Sequence, residues 1–226
     1  MLSAAFLGSL GLACGTSGED TEQATSTASS HPFWTELCGA PVTRPASRIG
    51  ERHPARAEYD ALELEAARAR ACAPERSLLD AAAGVYRLAH IAAADDDDAT
   101  FVRYLRLGAL ELADPLALGK LGRMEFRGYG ETNGDPNTPL VAQNLHLSYV
   151  HIQAAMNIAD GVRRETNNNE LLTLVVSGTL GTYDTFQTAE IRRQYDVTAR
   201  AADINRDVAA IEAQFQALHG VLPARN

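Results

Sequence analysis

The side chains in this 226-residue chain with the types and spacings for chemistry fall into four groups, and each fails the pattern that its chemistry requires. His146 and His151 stand five residues apart, so they do not share a helical face as an i, i+4 zinc pair does, and no His-Glu-x-x-His frame surrounds them. Asp95 to Asp98 offers four consecutive carboxylates, but neighbouring side chains diverge, whereas a calcium loop needs alternating oxygens, a central glycine and a distant glutamate. The bland reading is preferred: a solvated loop that places Asp98 near a helix N-terminus, where the helix dipole favours negative charge. Glu131, Asn133, Asp135 and Asn137 do alternate, yet Gly134 falls at the wrong offset and no bidentate glutamate follows, so turn chemistry accounts for them.

Cys38 and Cys72 lack C-x-x-C spacing and read as a disulfide if the compartment is oxidising, with two free buried thiols as the alternative. The bridge would contribute about 3 to 4 kcal/mol by chain entropy. No nucleophile with a positioned base is legible, so no catalytic, metal-binding or cofactor-binding residue is assigned. The candidate binding surface is Tyr129, Asn144, Tyr149 and His151. His151 falls on an otherwise apolar stripe with Leu147, Ala154 and Ile158, and reads as a hydrogen-bonded core histidine. The alternative is a ligand contact in a concave groove, with Asn144 and Tyr149 as neighbours.

The elements that would carry these residues begin with an apolar run, Leu2 to Ala13, ending on Cys14. Some twelve residues cannot span a bilayer core that needs about 20 in a helix. Leu10-Gly11-Leu12-Ala13-Cys14 resembles a bacterial lipoprotein signal, although Gly11 stands where leucine is usual and no Lys or Arg precedes the run. The resemblance implies acylation of Cys14 and, with Gly15 rather than aspartate following, an exported protein at the outer membrane facing the periplasm. A signal cleaved without acylation, or a plain buried helix, are the alternatives. Residues 1–13 are thus expected to be a signal peptide and 14–31 a lipidated cysteine with a Ser/Thr/Gly-rich disordered tether. Residues 32–226 are expected to form one helical domain, held to the membrane by the lipid alone.

That domain should be all-α, its helical hairpins packed as a short repeat-like array or an irregular bundle. The composition is 46 % hydrophobic but only 6 % aromatic, which suits an alanine-rich core of closely packed helices. A net charge of −9, with scattered positive residues, argues against a nucleic-acid partner on electrostatic grounds. Helical spacing places Tyr59, Leu62, Ala66 and Ala69 on one stripe, then Leu78, Ala82, Val85 and Ala89 on another. Further helices are expected over 99–113, 116–127, 139–162 and 171–180, the last with a strand as the alternative given Val175 and Val176. A last seam of Val197, Ala201, Ile204, Val208, Ile211, Phe215 and Leu218 repeats at 4,3,4,3 and ends at Gly220. Trp34 and Leu37 of the proline-broken lead-in should pack on this body.

Tyr104-Leu105-Arg106-Leu107-Gly108-Ala109, Asp114-Pro115-Leu116-Ala117, Leu121-Gly122-Arg123-Met124 and Gly128-Tyr129-Gly130 together resemble the junction of Sel-one-like repeats, relatives of tetratricopeptide hairpins. The resemblance covers less than a quarter of the chain, and no second full copy follows. It implies one degenerate repeat unit within a larger domain and, with it, a noncatalytic surface for an envelope protein or peptide. Physically, Gly122 would let two helices approach closely, and Gly128 and Gly130 would permit positive φ at a turn. The competing reading is a small-ligand or metal-binding protein, or an enzyme, with its site near His151 and the 131–137 loop. Oligomeric state is not legible.

Overall fold

A computed structural model describes residues 27–29, 32–40, 42–44, 60–130 and 139–220; Cys14, nearly all of the expected tether, Tyr59 and the 131–137 loop lie outside them. The body is all-α. Two three-residue strands, β1 (Thr27–Ser29) and β2 (Val42–Arg44), pair antiparallel with Ser29 opposite Val42, and between them runs α1 (Pro32–Cys38). There follow α2 (Leu64–Cys72), α3 (Leu78–Ala94), α4 (Asp98–Arg106) and α5 (Pro115–Arg127). The remainder is α6 (Leu145–Thr166), α7 (Glu170–Thr185), α8 (Ala189–Gln194) and α9 (Ala201–His219). Each of α2 to α7 packs on its sequence neighbour, α7 also touches α5, and α9 returns to lie on α6 and reach α3. That return closes the hairpins into an irregular bundle.

Local chemistry explains most boundaries. Ser77, Asp97, Asp114, Asn144 and Thr188 each cap a helix by accepting the backbone N–H three residues on. Asp114 is buried and its Oδ2 accepts from Ala117 N at 2.9 Å, while Pro115 occupies the first turn, where its missing N–H leaves nothing unpaired. Gly128 and Gly130 have φ of +79° and +66°, which turns the chain out of α5 as expected.

Three apolar clusters share the interior. Phe101, Leu105, Leu118, Leu121, Ile158 and Phe215 anchor the central one. Trp34, Leu37, Leu78, Val85 and Leu88 build the second, under α1 and α2. Phe126, Tyr149, Phe186, Tyr195, Ile204 and Val208 form the third, where most of the aromatic contacts lie. Trp34 is 1 % exposed, so α1 is an integral part of the body. Cys38 and Cys72 are bonded, with Cα atoms 5.4 Å apart, and tie the end of α1 to the end of α2 across 34 residues.

Several expected elements differ in register. The buried face of α2 is Ala67 and Ala71, not Ala66 and Ala69, which are exposed. The interface is chosen by the partner: a Cβ on Gly84 of α3 would lie 2.9 Å from Ala71 N and 3.1 Å from Ala67 O. Two backbones therefore meet where alanine periodicity carries no signal. The helix expected over 99–113 ends its α-turns at Arg106 and widens into a π-turn, Leu107–Glu111, before Ala113 reverses the chain at φ +49°. Residues 139–144 do not extend α6; Val141 instead exchanges two backbone hydrogen bonds with Tyr129. The last helix starts at Ala201 rather than Val197, because Asp196 Oδ1 accepts from Thr198 N and Ala199 N and holds a turn there. α7 runs on to Thr185, past the expected end at 180, and α8 and the strand pair carry no periodicity that announces them.

Candidate functional site

Helix α6 presents polar side chains to two neighbours. On the α5 side, His151 Nδ1 lies 2.7 Å from Glu125 Oε2, with the two side chains 6 % and 7 % exposed. The surrounding contact is tight because a Cβ on Gly122 would come within 2.8 Å of Ile152 Cγ1 and 3.0 Å of Ser148 O. The ends of the two helices are also joined: Asn144 N donates to Glu125 O at 2.7 Å, and Gln143 Nε2 donates to Phe126 O at 3.0 Å. Ser148 Oγ, one turn before His151, is buried without a hydrogen-bond partner. Serine, histidine and glutamate thus share one interface, the residue types of an acyl-transfer triad. Ser148 is fully buried, however, and a nucleophile needs a path to substrate.

On the α9 side the arrangement is open. His146 Nδ1 lies 2.7 Å from Tyr195 Oη, and His146 Nε2 lies 2.8 Å from Asp207 Oδ2. An ionised Asp207 only accepts, so Nε2 carries the proton and Nδ1 of a neutral ring accepts from the tyrosine. Arg206 continues the network, Nε to Asp207 at 2.9 Å and Nη1 to Asp203 at 2.8 Å. The hydrogen bond from His146, followed by that from Arg206, holds the Asp207 carboxyl below its usual range. Burial pushes the Tyr195 phenol up, with Arg200 opposing from 5.1 Å above the ring and Asp203 and Asp207 adding to the rise. Burial likewise raises the Tyr149 phenol, aided by its 3.3 Å hydrogen bond to Tyr183.

Beside this network runs a groove of about 460 Å³ between α6 and α9. Tyr149, Ile204 and Val208 give it an apolar floor. Its walls carry Gln153, Asn157, Asn205 and Glu212. Gln153 Nε2 donates to Asn157 Oδ1 at 2.8 Å, and Asn157 Nδ2 donates to Glu212 Oε1 at 2.7 Å, forming an amide ladder from one helix to the other. Such a lining can hydrogen-bond an extended backbone while the floor accepts an aliphatic side chain. Among the described residues, no group of three or more His, Cys, Asp and Glu could hold a metal ion.

The residues selected from the sequence do not share one surface. Tyr149 lines the groove. His151 faces away from it, into the buried pair with Glu125. Asn144 spends its side-chain oxygen on the N–H of Leu147 at 3.0 Å, as the cap of α6. Tyr129 lies at the end of α5, donating to Asp98 Oδ1 at 2.5 Å with its ring edge-on to Phe101. Sequence reasoning missed Gln153, Asn157, Asn205 and Glu212, as well as Tyr195 and Asp207. The one local signal was the i, i+4 pair of amides at 153 and 157. Comparison with known proteins adds no name to this geometry: no family model, no curated protein and no solved structure matches the chain.

Proposed function

We propose that this protein is a noncatalytic cell-envelope lipoprotein that uses the α6–α9 groove to hold an extended segment of another envelope protein or peptide. The observation that carries the reading is the lining itself: three amides and a carboxylate above an apolar floor. The Cys38–Cys72 bridge supports an oxidising compartment, and Leu10 to Cys14 supports acylation and anchoring at the outer membrane. The hairpin of α5 and α6, with its close approach at Gly122, suits a repeat-derived interaction scaffold. The Glu125–His151 pair does not favour an enzyme, since both side chains are largely withdrawn from solvent.

The test is a photo-crosslinking amino acid at Asn205 in cells making the acylated protein. A single discrete adduct is expected, one that weakens when Asn157→Leu removes the centre of the amide ladder. Absence of an adduct, or one indifferent to Asn157, would dispose of the groove. Mass spectrometry of the membrane fraction checks the anchor separately: Cys14 should bear lipid, and Cys14→Ser should release the protein from the membrane.

A further inference from the structure

A second cleft, about 190 Å³, lies between α5 and α7 beside Tyr86 of α3. Close contact at Gly119, where a Cβ would come 2.9 Å from Thr179 Cγ2, fixes the spacing of the two helices. Next to that contact the space opens, since a Cβ on Gly178 would meet nothing within 4 Å. Into this opening α5 presents Lys120 and Arg123, three residues apart and so on the same face. Lys120 is the only lysine in the chain.

Neither cation pairs with a carboxylate among the described residues, and no carboxylate lines the cleft. Arg70, Arg163, Arg164 and Arg206, by contrast, each meet an aspartate. Lys120 is half-buried with its ammonium 5.8 Å from the centre of the Phe101 ring. Burial, and then the charge of Arg123, both lower its proton affinity. A helical protein of net charge −9 thus keeps two neighbouring positive heads together with no acid between them among the described residues.

The other polar groups limit what fits. Ser177 Oγ donates to Leu174 O at 3.1 Å and Thr179 Oγ1 to Val175 O at 2.7 Å, so these hydroxyls turn their protons towards their own helix. Mid-helix backbone N–H groups are likewise occupied. Ammonium and guanidinium are then the principal donors, which suits a planar carboxylate better than a phosphate that needs a cradle of N–H groups. Leu116, Leu174 and Val175 supply aliphatic walls. We propose that the α5–α7 cleft binds a small organic acid, its carboxylate between Lys120 and Arg123 and its short hydrocarbon part against those walls.

The proposal is independent of the α6–α9 groove and is tested on the full chain by following amide resonances. Sodium butyrate, inorganic phosphate and sodium chloride are titrated at matched ionic strength. Butyrate should shift the Gly119 and Gly178 amides to saturation. Lys120→Met should weaken it at least tenfold, while raising the melting temperature in chloride because an unpaired, half-buried charge is gone. Gly178→Leu, whose Cβ enters open space, should keep the fold and block the cleft. Lack of saturation beyond chloride, undiminished binding in both variants, or phosphate binding more tightly than butyrate would each overturn the assignment.

Discussion

The two sides of α6 differ in how polar groups are accommodated. Towards α5, Gly122 brings the helices so close that the Glu125–His151 pair is almost wholly buried, and each group has the other as its hydrogen-bond partner. Towards α9, bulky Tyr149, Ile204 and Val208 hold the helices apart. His146, Asp207, Asn157 and Glu212 then meet at a surface that water also reaches. One helix therefore carries a polar contact whose function is internal and another whose partners can be exchanged. The residue facing α6, glycine on one side and large apolar side chains on the other, determines which is which.

The largest effect should come from opening the tight side. Gly122→Leu places atoms where Ile152 and the Ser148 carbonyl already sit, and should destabilise by about 3 kcal/mol or more, read as a lost or early urea transition. Next, His151→Ala leaves Glu125 buried without a partner and should lower stability by about 3 kcal/mol, whereas Glu125→Leu with His151→Leu should recover most of it. If the single variant is harmless, the pair is not closed to solvent. On the open side, Val208→Ala should remove only about 1.5 kcal/mol by the same measurement.

Smaller effects separate the polar contacts by pH. Burial, with the Asp98 hydrogen bond and charge, pushes the Tyr129 phenol up to about 12. Because the fold favours its neutral form, this contribution is intact below about pH 10 and fades as pH rises towards the shifted value. Asp98→Asn should bring Tyr129 ionisation down in an absorbance titration. Asp207 has the opposite sign. Its lowered carboxyl contributes above the ordinary carboxylate range and loses that contribution as pH falls through its folded value. The difference in urea midpoint between the parent and Asp207→Asn should therefore be visible near pH 7 and shrink by about pH 3. A difference that persists in acid would mean the network is not held by that charge.

Much of the helical plan was legible where side chains are large. Ile204, Val208 and Phe215 are buried as their spacing predicts, because bulky residues recurring at 4 and 3 leave one choice of face. The face of α2 was not, since alanines at 66, 67, 69 and 71 all suit a helix and only Gly84, across the interface, selects among them. The π-turn at Leu107–Glu111 was equally hidden: it depends on docking, with Gln214 Nε2 donating to Leu110 O and Asp114 N to Gly108 O. At the candidate sites, His151 read correctly as a hydrogen-bonded core residue, but Glu125 is 26 residues away and a glutamate reads as solvent-facing from sequence. The groove joins residues far apart in the chain, Asn157 and Glu212 being separated by 55 positions, through a chain reversal that no local spacing encodes.

The placement of α9 bears on the order in which the molecule can be finished. Phe215 fills the central cluster made by residues from Leu79 to Val175, and His219 Nε2 reaches the carbonyl of Leu112, 107 positions earlier. A nascent chain emerging N-terminus first can pair α2 with α3 and α5 with α6 as each hairpin appears. It still exposes the seat of Phe215 until α9 has been made, so the keystone of this interior is laid among its last turns.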